Sequence, residues 1–146
     1  MNELIKFTQN KYIYVPILLW CGIQIYKVLY ECIKEKKINL KRVLGAGGMP
    51  SSHSAMVAGL ATLIGKYEGV DTVVFAVSFI MALVVMYDAC GVRRAAGKQA
   101  ELLNRIVKNS ELYEYQVNEK LTEKLGHTPF QVIIGAFIGF VVGLIV

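Results

Sequence analysis

PFQVIIGAFIGFVVGLIV, residues 129–146, runs for eighteen residues without a charged side chain, close to the roughly 20 residues a helix needs to cross a hydrocarbon core. Two further apolar stretches, 12–30 and 70–87, come near that length. A fourth, 54–64, is shorter, but a helix opening at Pro50 and running to Lys66 makes a short span that neighbouring helices would shelter. Apolar residues make up 55% of the 146-residue chain and mean hydropathy is +0.47, more oil than one soluble domain of this size has interior to hide. The expected fold is all-α, a polytopic membrane helix bundle of about four spans forming one domain over residues 1–146. The first stretch has no small-residue cleavage site after it and continues into the charged run 31–42, so it is expected to stay in the mature protein.

With four spans the connecting segments alternate sides, and the basic residues divide unequally between them. Lys34, Lys36, Lys37, Lys41 and Arg42 follow span one, and Arg93, Arg94, Lys98, Arg105, Lys108, Lys120 and Lys124 follow span three on the same face. Only Lys6, Lys11 and Lys66 fall on the other. Twelve against three places the loops after spans one and three in the cytoplasm and both termini outside. The net charge of +5 then reflects orientation and attraction to anionic lipid, and no segment has the form of a nucleic-acid module. Cys21, Cys32 and Cys90 are odd in number and lack CxxC spacing, which argues against a disulfide framework or a structural zinc site.

The segment 93–125 is polar but periodic, with Leu102, Leu103, Ile106 and Val107 followed by Tyr113, Val117, Leu121 and Leu125. It predicts one or two amphipathic helices lying on the membrane surface or capping the bundle. Gly135, Gly139 and Gly143 repeat every fourth residue in the last span, and Ser54, Ala58 and Thr62 do the same in the second. Such small-residue stripes are helix-contact faces. They suit packing within the chain or a homo-oligomer, and spacing alone leaves both open.

Once the spans are placed, the histidines and the arginine pair fall at one boundary, the cytoplasmic one. His53 stands in GGMPSSHS at the start of span two, Asp88 and Arg93-Arg94 at the end of span three, and His127 at the start of span four. Around residues 45–53 a glycine-rich approach precedes Pro50 in an expected first helical turn, with Ser51 or Ser52 as cap. A helix end of this kind presents free N–H groups and a positive dipole end, which suit an anion such as a phosphoryl group. In YDACGVRRAAGK, residues 87–98, Arg94 and Lys98 share a helical face, and an arginine fork can hold phosphate oxygens bidentately. His127 lies in LGHTPFQ, where Gly126 can end the amphipathic helix, Thr128 cap the next and Pro129 open it. Gln131, four residues on, is at a distance from which its amide can orient the imidazole. Two fixed histidines beside cations permit nucleophilic and acid–base phosphoryl chemistry with no metal or other cofactor.

Gln24 and Lys27, GGMPSSHSA at 47–55, MYDACGVRRAAGKQAELLN at 86–104 and GHTPFQVIIGAFIG at 126–139 together resemble the divergent PAP2 family. These are small membrane proteins related to acid phosphatases and vanadium-dependent haloperoxidases. The resemblance implies that His127 attacks phosphorus to give a phosphohistidine while His53, in Pro50-Ser51-Ser52-His53, protonates the departing alkoxide. Arg93 or Arg94, with Lys98, Arg42 or the intramembrane Lys27, would balance charge on the phosphoryl oxygens. The chain also departs from the wider superfamily. Gln131 stands where an acid is expected, and amide-for-acid replacement beside a catalytic histidine costs about 10⁴ in rate in a serine-protease triad. The resemblance therefore implies low activity, or reliance on a substitute acid such as Asp88. The Lys-x6-Arg-Pro element is absent, and Arg93-Arg94 lies far ahead of His127 instead of closely preceding it.

The expected function is hydrolysis of a lipid phosphate at the cytoplasmic face of a cell membrane, since a boundary site suits an anionic head whose tails stay in lipid. A non-catalytic binder or transporter of lipid phosphates is the alternative that Gln131 suggests. A metal site built from His53, His127 and Asp88 is chemically permitted by the residue types, and vanadate-dependent halide oxidation is a more distant option.

Overall fold

A computed structural model of the chain describes residues 2–36, 47–108, 121–123 and 125–146. All regular structure among them is helical: α1 (Asn2–Gln9), α2 (Lys11–Glu35), α3 (Ser52–Tyr67), α4 (Val73–Cys90), α5 (Val92–Lys108) and α6 (Pro129–Ile145). The all-α expectation holds. The ends of the apolar helices are set by polar caps, as their sequences allow. Asn10 accepts from Tyr12 N ahead of α2, Ser51 from Ser54 N ahead of α3, and Thr72 from Phe75 N ahead of α4. Thr72 starts the third apolar helix three residues later than hydropathy suggests, because Val70 belongs to the turn before it. Pro50, expected in the first turn of the second helix, instead precedes the Ser51 cap.

Helix α3 is the core. α2, α4 and α6 all pack on it, burying Ser52, Ser54, Ala55, Val57, Gly59, Ala61, Leu63 and Ile64. Its N-terminal end meets the start of α6 and its C-terminal end meets the end of α6, with Lys66 Nζ donating to Leu144 O at 2.9 Å. The two helices therefore run parallel. α2 runs the opposite way, since Tyr12 near its start donates to Glu68 just beyond α3. α4 is likewise antiparallel to α3, with Phe75 beside Gly65 and Ala89 bonded to His127 N.

The glycine stripe of α6 faces α3. An added Cβ at Gly135 would strike the backbone of Ser51; at Gly139, the backbone of Ala55 and Gly59; at Gly143, Thr62 and Gly59 O. Of the two uses the stripe allows, packing within the chain is the one these three glycines serve, so they are not an open face for a second copy. The outside of the bundle is oil. Ile17, Leu18 and Ile25 on α2, Val73, Val77 and Val84 on α4, and Phe130, Ile133 and Phe137 on α6 are all exposed, a girdle far larger than the patches soluble monomers tolerate. Helix α2 and the Val73–Lys108 stretch are long and apolar enough to cross a membrane; α6 is apolar but shorter.

One expectation for the polar segment needs correction. α5 is amphipathic, but residues 121–123 and 125 are not helical. Asn104 takes them instead: its amide nitrogen donates to Leu121 O at 2.8 Å and its oxygen accepts from Leu121 N at 3.0 Å. The periodic Tyr113 and Val117 lie outside the described residues.

Gly139→Ala is expected to destabilise the bundle by about 1–3 kcal/mol, the usual cost of overpacking, read as earlier loss of helical ellipticity on heating in detergent. Gly22→Ala, at a helical glycine with open space around it, should leave the transition unchanged or raise it slightly.

Candidate functional site

The parallel packing of α3 and α6 brings two helix N-termini together. Ser51 N donates to Gln131 O at 3.2 Å, joining the cap of α3 to the first turn of α6. His53 sits half-buried in the first turn of α3, and His127 lies buried one residue before the Thr128 cap of α6. Both positive dipole ends thus point into the same corner of the bundle, together with the unsatisfied N–H groups that helix starts present.

Three further elements close on that corner. From α2, Lys27, only 6% exposed, extends its ammonium to Gly47 O at 3.3 Å. Gly47 and Gly48 both have positive φ, 123° and 81°, which only glycine adopts without strain. This lets the chain turn tightly from the end of Lys27 into the Ser51 cap. From the α4–α5 junction, Arg93 and, from α2, Lys27 are the cations whose charge acts on the His53 ring. From the segment before α6, His127 N donates to Ala89 O at 2.9 Å, and Gly126, at φ 78°, abuts the Arg94 backbone with no room for a Cβ. Gly126 is therefore a contact glycine, and no described helix ends at it.

Ser51 acts as the cap, its Oγ accepting from Ser54 Oγ at 2.8 Å as well as from Ser54 N; Ser52 is buried in the first turn. Arg93 Nε is paired with Asp88 Oδ2 at 2.5 Å, an exposed pair worth about 0–1 kcal/mol that points Asp88 toward its own junction. Arg94 is half-buried and Lys98 is exposed one turn further along α5. Arg42 lies outside the described residues. The amide of Gln131 is engaged within its own helix start. Its Oε1 accepts from Thr128 N at 3.0 Å while Gln131 N donates to Thr128 Oγ1 at 3.3 Å, a capping box. The sequence suggests Gln131 as a partner of His127, yet Thr128-Pro-Phe-Gln131 also has the spacing of such a box. Asn104 is a contact that the sequence pattern does not announce. An asparagine in mid-helix is a weak helix former, and that is the available hint that its amide serves something else.

Beside the corner, a groove of about 640 Å³ runs between α2 and α6. Lys27, Met49 and Pro50 edge it at the corner, Glu31, Lys34 and Glu35 line it beyond Lys27, and Ile23, Ile134 and Ile138 line it toward the start of α2. It is charged at one end and oily along its length, as an amphiphile is. Among the described residues no three His, Cys, Asp or Glu side chains cluster as a metal site would require. The three cysteines are all free and half-buried.

The family model described as "Divergent PAP2 family" matches residues 8–142. An uncharacterized membrane protein of Bacillus subtilis, YuiD, is 38% identical over 133 residues, covering 84% of each chain. No solved structure matches. The matched region spans the Gly47–Gly48 turn, the Ser51 cap with His53, the arginine pair after α4 and the His127 approach to α6; the chain belongs to the divergent PAP2 family.

Proposed function

We propose that the protein is a metal-independent phosphatase acting on a lipid phosphate, with its site at the cytoplasmic face of the cell membrane and the chain crossing four times. The observation that carries the proposal is the meeting of the α3 and α6 N-termini at Ser51 and Gln131, each with a histidine at its start, in a corner that also receives the buried Lys27. Two helix starts and a cation make a place for an anion, and the two rings are what a two-step phosphoryl transfer requires.

In that reaction a His127 nitrogen forms a bond to phosphorus as the bond from phosphorus to the lipid oxygen breaks, and His53 delivers a proton to the departing alkoxide. Water then attacks phosphorus, giving its proton to His53; the nitrogen–phosphorus bond breaks and phosphate leaves, restoring both rings. Lys27, Arg94 and the free N–H groups of the two helix starts stabilise charge on the phosphoryl oxygens. The groove between α2 and α6 supports a lipid substrate, since a tail lying over Ile23, Ile134 and Ile138 leaves its head at Lys27.

One feature favours a second reading, lipid-phosphate binding or transport without turnover. Gln131 is uncharged and its oxygen closes the α6 cap, so it cannot supply the charge that an acid at this position would lend to an imidazolium.

Purified protein in detergent with chelator present is expected to release inorganic phosphate from a panel of lipid phosphates, with His127→Ala and His53→Ala each lowering the rate at least about 100-fold. Gln131→Glu, long enough to keep the box and negatively charged, should raise it. If wild type releases nothing while still binding lipid phosphate, the binding or transport reading replaces the enzyme. For orientation, a cysteine introduced at Lys36 should resist an impermeant thiol reagent in intact cells and react after lysis; equal labelling before lysis would reverse the cytoplasmic assignment.

A further inference from the structure

Helix α5 has three distinct sides. Gly97, Ala100 and Asn104, spaced i, i+3, i+7, face residues 121–123 and 125: Gly97 has no room for a Cβ against Glu123 O and Leu125 O, and Asn104 holds Leu121. Val92, Leu102, Leu103 and Ile106 form a second side and are between 49% and 65% exposed. At 100° per residue they span a stripe slightly over a quarter of the circumference. Between the two sides stand Arg94, Lys98 and Arg105, at i, i+4 and i+11, with Lys108 close by. The helix carries five cations and one acid, Glu101, and that acid is already paired with Arg105 at 3.1 Å.

An apolar stripe bordered by cations, too charged to cross a bilayer, is the form of a helix lying in the plane of the interface. It is also continuous with lipid-facing surface, since α5 follows α4 through Gly91 alone and Val84 and Tyr87 near the end of α4 are exposed. We propose that α5 lies in the headgroup layer of an anionic leaflet, with Val92, Leu102, Leu103 and Ile106 among the upper chain segments and Lys98, Arg105 and Lys108 at lipid phosphates. The fit is to negative charge because the cations of this border outnumber its one acid, Glu101.

This seating bears on the candidate site without depending on turnover there. Residues 121–123 and 125 lie along another side of α5, Gly126 rests on the Arg94 backbone, and His127 N is bonded to Ala89 O. The helix is the bed of the segment that delivers His127, so the lipid surface sets the height of that histidine relative to the headgroups.

The test uses the full chain in vesicles, with Leu103→Trp as reporter and Trp20→Phe to remove the only native tryptophan. In vesicles containing phosphatidylglycerol the reporter should emit to the blue and be quenched by lipids brominated near the top of their chains. Lys98→Gln with Arg105→Gln should lower the ratio of seated to lifted helix about thirtyfold, at about fivefold for each cation near an anionic surface, exposing the reporter to aqueous acrylamide. Raising the salt concentration on the charge-intact reporter protein should do the same, and does not depend on how well the charge variants fold. A solvent-exposed reporter in all vesicles would overturn the proposal, and equal seating in pure phosphatidylcholine would overturn its anionic requirement. So would a reporter shielded from bromine together with Leu103→Cys cross-linking between copies, which would assign the stripe to a second chain.

Discussion

Helices α3 and α6 approach until backbone meets backbone, and the rest of the molecule is arranged around that contact. In lipid, burying apolar side chains offers little net driving force between helices, because the tails outside are as oily as the interface; close van der Waals packing has to provide it. Here it comes from missing side chains. Gly139 lies against Ala55 and Gly59, and Gly143 against Thr62 and Gly59 O, at separations that no Cβ could share. The same contact fixes register: with Gly135 against Ser51, the Ser51 N to Gln131 O bond forms at the top of the pair and Lys66 reaches Leu144 O at the bottom. A one-turn slip would lose both.

Because the two helices run parallel, their positive ends lie side by side, an arrangement that raises the positive potential of the corner. An antiparallel pair would cancel its dipoles; this one adds them. Lys27, buried beneath the Gly47–Gly48 turn, and Arg93, acting on His53 from the α4–α5 junction, add more positive potential. Asp88 offsets some of it through Arg93. A corner with this balance favours an anion more strongly than any one of its parts, which is why the convergence supports phosphoryl chemistry when neither histidine alone would.

Much of this was legible in the sequence, for identifiable reasons. Long apolar runs announce α2, α4 and α6 because a bilayer imposes their length, and Thr128-Pro129 and Ser51 mark helix starts because few residues can satisfy the first N–H groups. The gathering of His53, His127 and the arginine pair at one end of the bundle follows from the alternating direction of successive apolar helices. Other features were not legible, since they depend on contacts between residues far apart in the chain. The Ser51–Gln131 bond, the approach of Gly126 to Arg94 and the grip of Asn104 on Leu121 leave no periodic trace. The helical pattern through Leu121 and Leu125 misleads for the same reason: four-residue spacing describes a helix only if the backbone is free to form one, and Asn104 supplies competing hydrogen bonds.

Gln131 shows how one residue can answer two demands at such a corner. At the third position of α6 its side chain must reach back to Thr128 N, which glutamine and glutamate can both do and aspartate does poorly. Glutamate would also bring a charge to the meeting point of two positive helix ends, where it would be strongly held and would neutralise much of the field that draws an anion in. Glutamine keeps the cap and leaves the field intact. For the proposed chemistry the consequence is a trade: the corner keeps its attraction for a phosphoryl group in the ground state, and gives up a negative charge that would stabilise an imidazolium as the reaction proceeds. Binding energy placed in the ground state does not accelerate the chemical step, so this choice of residue tilts the site toward holding its ligand and away from fast turnover.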